Sequence, residues 1–116
     1  MIVEDDNFSI EFLQEMFSNT GLNCLYARNG NQALQLFHEN PTIEVVLMDV
    51  QLPDINGLQL TRIMKKENPK LIVIAQTAYA SSIDTEKSID AGCSDYISKP
   101  LNSPKLLAII SKYLNK

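Results

Sequence analysis

Leu47-Met48-Asp49-Val50-Gln51-Leu52-Pro53-Asp54-Ile55-Asn56-Gly57-Leu58 is the stretch on which the chain turns. An apolar run, Val45-Val46-Leu47-Met48, stops at a carboxylate. A Pro-containing loop comes next, Asn56-Gly57 supplies a turn, and a helical pattern begins. A short unbroken apolar run is how a parallel strand buried on both faces reads. Asp49 then stands at the carboxyl end of such a strand, where open α/β sheets carry their ligand sites. Alone, the same pattern fits an Asp that merely leaves a strand and opens a loop. The remainder of the chain decides.

Working outward, the same alternation recurs on both sides. Met1-Ile2-Val3 reads as the stub of a first strand ending in Glu4-Asp5-Asp6, with Asp6 or Asn7 capping a helix that runs to about Thr20. Phe8, Phe12, Leu13, Met16 and Phe17 fall at helical spacing and are read as its buried stripe, and Gly21 stops it. Asn23 to Ala27 is a second strand. The next helix starts at Asn29-Gly30-Asn31, turns Ala33, Leu34 and Phe37 inward, and ends at Asn40-Pro41. After the central stretch a third helix spans about Gly57 to Glu67, with Leu58 and Ile63 inward together with Leu60 or Met64. Leu71 to Ala75 is a fourth strand, closing in Gln76-Thr77-Ala78. A weakly apolar fourth helix, about Ser82 to Ala91, is expected to be loosely held. Asp95 to Ser98 is a fifth strand ending in Lys99-Pro100. The last helix, about Ser103 to Leu114, carries Leu106, Leu107, Ile109, Ile110 and Leu114. Strands and helices in strict alternation, with short connections, specify an α/β sheet of parallel strands with helices on both faces.

Composition sets the bounds. A chain of 116 residues, 45% hydrophobic, is the size of one domain with one real core, read as a single unit over 1–116. A net charge of −4 with scattered Lys and Arg argues against a nucleic-acid surface. No apolar run is long enough for a membrane span and no signal-peptide pattern is present, so a cytoplasmic location is expected. Cys24 and Cys93 lack metal-ligand spacing and read as reduced, packed thiols. His38, near a helix end, reads as a surface residue. The brevity of the first strand suggests a domain excised from a longer protein.

The chemistry lies at the strand ends: Glu4, Asp5 and Asp6 after the first, Asp49 after the third, Thr77 after the fourth, Lys99 after the fifth. In a parallel sheet these ends share one edge. Carboxylates without soft ligands suit a hard, oxygen-seeking cation, with Mg²⁺ the usual choice where phosphate is handled. An ammonium and a hydroxyl suit phosphoryl oxygens. An Asp carboxylate can itself accept a phosphoryl group as an acyl phosphate.

Four motifs carry a resemblance: Val3-Glu4-Asp5, the run Met48 to Gly57, Thr77-Ala78, and Tyr96-Ile97-Ser98-Lys99-Pro100. Together, in order and each at a strand end, they resemble the receiver domain of two-component response regulators over essentially the whole chain. The resemblance implies a flavodoxin-like, doubly wound sheet in the order 2-1-3-4-5, which periodicity does not fix. It implies that Asp49 is the phosphoacceptor, with Thr77 the switch hydroxyl, Ala78 the small residue leaving room for the phosphoryl group, Lys99 the lysine of the site and Tyr96 the aromatic switch. Glu4, Asp5, Asp49 and the backbone carbonyl of Gln51 become the Mg²⁺ ligands, and the Lys99-Pro100 peptide is expected cis. Gln51 and Tyr79 would line the path of hydrolytic water, Tyr79 as a shield. Leu52, Asn56 and Glu4 depart mildly from the commoner Met, Asp and Asp, removing no required group.

The expected function is therefore a signalling switch, not a turnover enzyme, that takes its phosphoryl group from a histidine kinase or histidine phosphotransfer domain. The face of the fourth helix, fifth strand and fifth helix is expected to be read by a partner or by a second copy in a homodimer, and a hybrid sensor kinase or multidomain regulator is the favoured source. A degenerate, phosphorylation-independent interaction module is the alternative, opposed by the intact Asp49, Thr77 and Lys99. An aspartate-based phosphatase is disfavoured because Gln51 stands where its second acid belongs. A flavodoxin is disfavoured because three acids replace a phosphate loop after the first strand.

Overall fold

The computed structural model describes residues 1–78 and 82–114, of residues 82–85 the backbone alone; the expected shield Tyr79 lies outside them. Strands β1 (Ile2–Val3), β2 (Tyr26–Ala27), β3 (Val45–Asp49), β4 (Ile72–Thr77) and β5 (Asp95–Ser98) alternate with helices α1 (Asn7–Phe17), α2 (Gly30–Glu39), α3 (Gly57–Glu67), α4 (Ser82–Asp90) and α5 (Ser103–Leu114). All pairings are parallel and the sheet order is β2-β1-β3-β4-β5. That is the flavodoxin-like order. β2 is shorter than its apolar run suggested, pairing only through Tyr26 and Ala27.

Two core layers flank the sheet because successive strand residues point to opposite faces. Ile2, Leu47, Ile74 and Ile97 pack with Leu13 and Phe17 of α1 and with Leu106 and Ile110 of α5. Val3, Val46, Met48, Val73 and Ala75 pack with Phe37 of α2 and with Leu60 and Met64 of α3.

The stripe on α1 needs correction. Ile10, Leu13 and Phe17 are its buried residues, while Phe8 is 83% exposed and Phe12 39%. The sequence offers two apolar rows at helical spacing, 10-13-17 and 8-12, nearly opposite each other at 100° per residue. A helix packed on one sheet buries only one of them. On α3 the buried residues are Gly57, Leu60, Thr61 and Met64, and Ile63 turns outward. Ile63 sits off the arc defined by Leu60, Met64 and Gly57.

Side-chain caps fix where helices begin. Asp6 accepts the Ser9 N–H, Asn29 the Gln32 N–H and Asn56 the Leu58 N–H, at 3.0, 2.8 and 2.8 Å. Asp54, in the loop after β3, reaches across to α2 and accepts the N–H groups of Gly30 (2.8 Å) and Asn31 (3.0 Å). These bonds to the start of α2, that from Gly30 first, hold its carboxyl below the usual range. His38 lies on the surface as expected, paired with Glu67 at 3.0 Å. Among the described residues no helix is long and apolar enough to cross a membrane.

Candidate functional site

β1, β3, β4 and β5 deliver their carboxyl ends to one edge. Glu4 and Asp49 are nearly enclosed, 1% and 4% exposed, whereas Asp5 is open to solvent. One ligand oxygen from each of Glu4, Asp5 and Asp49 falls within 4.8 Å of the others. Lys99 supplies the counter-charge: Nζ lies 3.2 Å from Glu4 Oε1 and 3.3 Å from Asp49 Oδ2. One ammonium is thus shared by two buried carboxylates.

Burial raises the Glu4 carboxyl above its ordinary value and the neighbouring Asp49 raises it further, with Lys99 only partly offsetting them. Burial alone would lower the Lys99 ammonium, but Asp49 and Glu4 outweigh it and raise it. Glu4 Oε2 accepts the backbone N–H of Asp5 at 3.0 Å and of Asp6 at 3.4 Å. Its Oε1 makes no aligned hydrogen bond; the contact with Lys99 is an attraction of charges. A buried carboxylate oxygen without a donor, beside two further carboxylates, is a set that fits a hard divalent cation.

The loop after β3 is held by its backbone. Asp49 Oδ1 accepts the Gln51 N–H at 3.1 Å, the Val50 N–H donates to the Gln76 carbonyl at 3.1 Å, and the Gly57 N–H donates to the Val50 carbonyl at 2.8 Å. Gly57 comes so close to the main chain at Asp49 that a Cβ there would overlap the Asp49 carbonyl. Asn56-Gly57 is therefore more than a turn signal: it seats α3 against the strand end. On the other side the Lys99 N–H donates to the Thr77 carbonyl at 2.8 Å, and the Lys99-Pro100 peptide is cis as expected.

A cavity of about 80 Å³ opens here, lined by Asp49, Val50, Gln51, Gln76, Thr77, Ala78 and Lys99. Thr77 is buried and Ala78 exposed at its mouth. Of the described residues expected at the site, Asp49, Gln51, Thr77, Ala78 and Lys99 line this cavity and Glu4 and Asp5 cluster with Asp49, whereas Tyr96, 37% exposed on β5, does not line it. A larger cavity, about 410 Å³, opens at the amino ends of β1 and β3 between residues such as Met1, Cys24, Val45 and Ile110. None of the three acids lines it.

Three features are not apparent from the linear pattern. Gln76 is fully buried and lines the cavity; a polar residue directly after the apolar run 71–75 was the available signal. Asp54 ties the loop to α2 through a contact distant in sequence, which no local pattern reveals. Phe8 and Phe12 form an exposed apolar row on the helix that starts directly after the acids.

Comparisons with known proteins agree with this arrangement. The sequence matches the response regulator receiver domain family over residues 1–111. It is 36% identical to the polar-differentiation response regulator DivK of Brucella anthropi, over 98% of this chain and 94% of that protein. The fold is similar to a CheY-like receiver domain from Methanospirillum hungatei JF-1, at 31% identity and a TM-score of 0.88, covering 98% of this chain and 90% of that one. It is also similar to the Saccharomyces cerevisiae Ssk1 receiver domain, crystallised with the histidine phosphotransfer protein Ypd1, at 27% identity and a TM-score of 0.88 over 97% and 85% of the two chains. The chain belongs to the receiver domain family of two-component response regulators, a family of signalling modules.

Proposed function

We propose that this receiver takes a phosphoryl group onto Asp49 from a phosphohistidine carried by a kinase or phosphotransfer domain. The observation that carries the reading is the Asp49 carboxylate at the end of β3, facing a small cavity with Lys99 at 3.3 Å and two further acids beside it. In the transfer, the P–N bond to the donor imidazole breaks and a P–O bond to an Asp49 carboxylate oxygen forms. Lys99 offers its ammonium, and Thr77 its hydroxyl, to the oxygens over which charge spreads. Glu4, Asp5, Asp49 and the Gln51 carbonyl would hold Mg²⁺, which when bound neutralises charge on the carboxylates and the phosphoryl group. The test is intact-mass analysis after incubation with acetyl phosphate. A single phosphoryl adduct is expected with Mg²⁺ and none with excess chelator. An adduct indifferent to the chelator would overturn the metal assignment, and no adduct would overturn the acceptor assignment.

The phosphodonor is a protein, and the exposed Phe8–Phe12 row beside the acids supports docking of an apolar helical surface there. Large apolar anchors dominate such contacts. Phe8→Ala and Phe12→Ala together are expected to slow transfer from a phosphorylated phosphotransfer domain about tenfold or more, leaving acetyl phosphate labelling unchanged. Equal slowing with both donors would show that the change acts on the site.

The switch is read from Thr77 and Tyr96. A phosphoryl oxygen on Asp49 draws the Thr77 hydroxyl, and the space it leaves admits the Tyr96 ring. One hydrogen bond to a charged group contributes about 1.5–3 kcal/mol. Inverting a 1:99 population needs about 5.5 kcal/mol, so Lys99, the cation or a partner must supply the rest. Tyr96 and Ile89 are exposed, at 37% and 62%, on the α4–β5–α5 face, which supports reading that face as the output or dimer surface. Thr77→Ala should still be phosphorylated but lose most of the Tyr96 change. NMR spectra of the beryllofluoride-bound forms check this, and equal shifts in both proteins would exclude Thr77 as the relay.

A further inference from the structure

Gln76 is a buried polar side chain at this site to which phosphoryl transfer and switching assign no task. It is 0% exposed, and neither its Nε2 nor its Oε1 has a hydrogen-bonding partner among the described residues. An unpaired buried amide is destabilising, and an apolar residue of like volume would avoid the cost. Its direction comes from register. β3 and β4 pair Asp49 with Gln76, and paired residues of parallel strands project from the same face. The preceding pairs obey this: Leu47 and Ile74 share one core layer, Met48 and Ala75 the other. Gln76 therefore leaves the sheet alongside Asp49, and both line the 80 Å³ cavity with Thr77 and Lys99.

In the free protein the Lys99 ammonium is shared between Glu4 and Asp49. Phosphorylation changes the demand. The Asp49 carboxylate becomes a neutral acyl group, and new oxygens compete for the ammonium. We propose that Gln76 is a positioning residue for the loaded site, its Nε2 donating to the Asp49 acyl oxygen and its Oε1 accepting from Lys99. The carboxamide is suited to this because it donates and accepts at once and adds no charge to a crowded acidic pocket. The proposal rests on Asp49 being the acceptor; the competing occupant is a water held in the cavity.

The experiment separates the two failures. A mass adduct on the parent protein with acetyl phosphate and Mg²⁺ is established first; its absence would defeat the acceptor reading, on which the Gln76 role depends. The side-chain NH₂ resonances of Gln76 are then compared without and with beryllofluoride and Mg²⁺, and phosphorylation rates are measured for Gln76→Leu and, should that variant fold poorly, Gln76→Met. A shifted NH₂ pair that exchanges more slowly with solvent is expected in the loaded form. The apolar variants should label about tenfold more slowly, the change one charge-assisted hydrogen bond carries, while melting no lower than the parent when unphosphorylated. Unmoved NH₂ resonances, or apolar variants that label at the parent rate, would overturn the proposal and leave the amide to a buried water.

Discussion

Asp49→Asn is expected to carry no phosphoryl adduct after incubation with acetyl phosphate and Mg²⁺, while folding as well as the parent or better. The first half is a matter of chemistry: a carboxamide is no substitute for the carboxylate nucleophile, and the other acids at the site hold different posts. Glu4 is committed to the Asp5 and Asp6 amides through Oε2 and to Lys99 through Oε1, and Asp5 stands in solvent. The second half comes from the shared ammonium. Removing the Asp49 charge leaves Lys99 wholly to Glu4 and takes away one of the causes that raise the Glu4 carboxyl. A gain of about 1 kcal/mol, of the order of one pKa unit of relieved repulsion, should appear in urea unfolding without metal. Intact mass and the unfolding midpoint check the two halves separately. An adduct on the variant would move the acceptor elsewhere.

Lys99→Met is expected to have the opposite stability effect and to cripple the chemistry. Two carboxylates buried to 1% and 4% exposure would then lie together without a cation. Removing one partner of a buried ion pair is strongly destabilising because the remaining charge keeps its desolvation cost. Lys99 is itself partly open, 29% exposed, so a loss of about 2 kcal/mol is expected rather than the full range for a sealed pair. Saturating Mg²⁺ should recover most of it, since a ligand that binds only the folded state stabilises by mass action. The phosphorylation rate should stay about a hundredfold low even with metal, the scale for losing one preorganised donor to a transferring group. Urea unfolding with and without Mg²⁺, beside a labelling time course, reads both. A variant as stable as the parent without metal would mean that solvent already screens the acidic pair.

The two variants bracket one physical idea. The resting site gathers three carboxylates, a set that could hold a metal ion, around a single ammonium, and both predictions turn on that imbalance.

What the sequence by itself determined is the local part of this design. Unbroken apolar runs of strand length located the ends of β3 and β4, at Asp49 and at Gln76-Thr77, because parallel strands buried on both faces are largely apolar until the chain nears its exit. β5, Asp95-Tyr96-Ile97-Ser98, is no such run, and Lys99 was singled out by the Lys99-Pro100 pair that follows it. The caps at Asp6 and Asn29 and the Asn56-Gly57 turn were legible for the same reason: each acts within a few residues of itself. The strand order was supplied by family resemblance, since alternation of strands and helices fits several orders equally well. Only the tertiary structure decided which of two apolar rows on α1 meets the sheet, because Ile10-Leu13-Phe17 and Phe8-Phe12 are equally periodic and the choice belongs to the surface they pack against. It alone showed Asp54 clamping the start of α2, that Gly57 must lack a side chain to pass the Asp49 carbonyl, and that one ammonium serves both Glu4 and Asp49. It also set Gln76 beside Asp49, through the register of β3 on β4. Charge sharing and close approach depend on distances between residues far apart in the chain, and a linear pattern carries no distances.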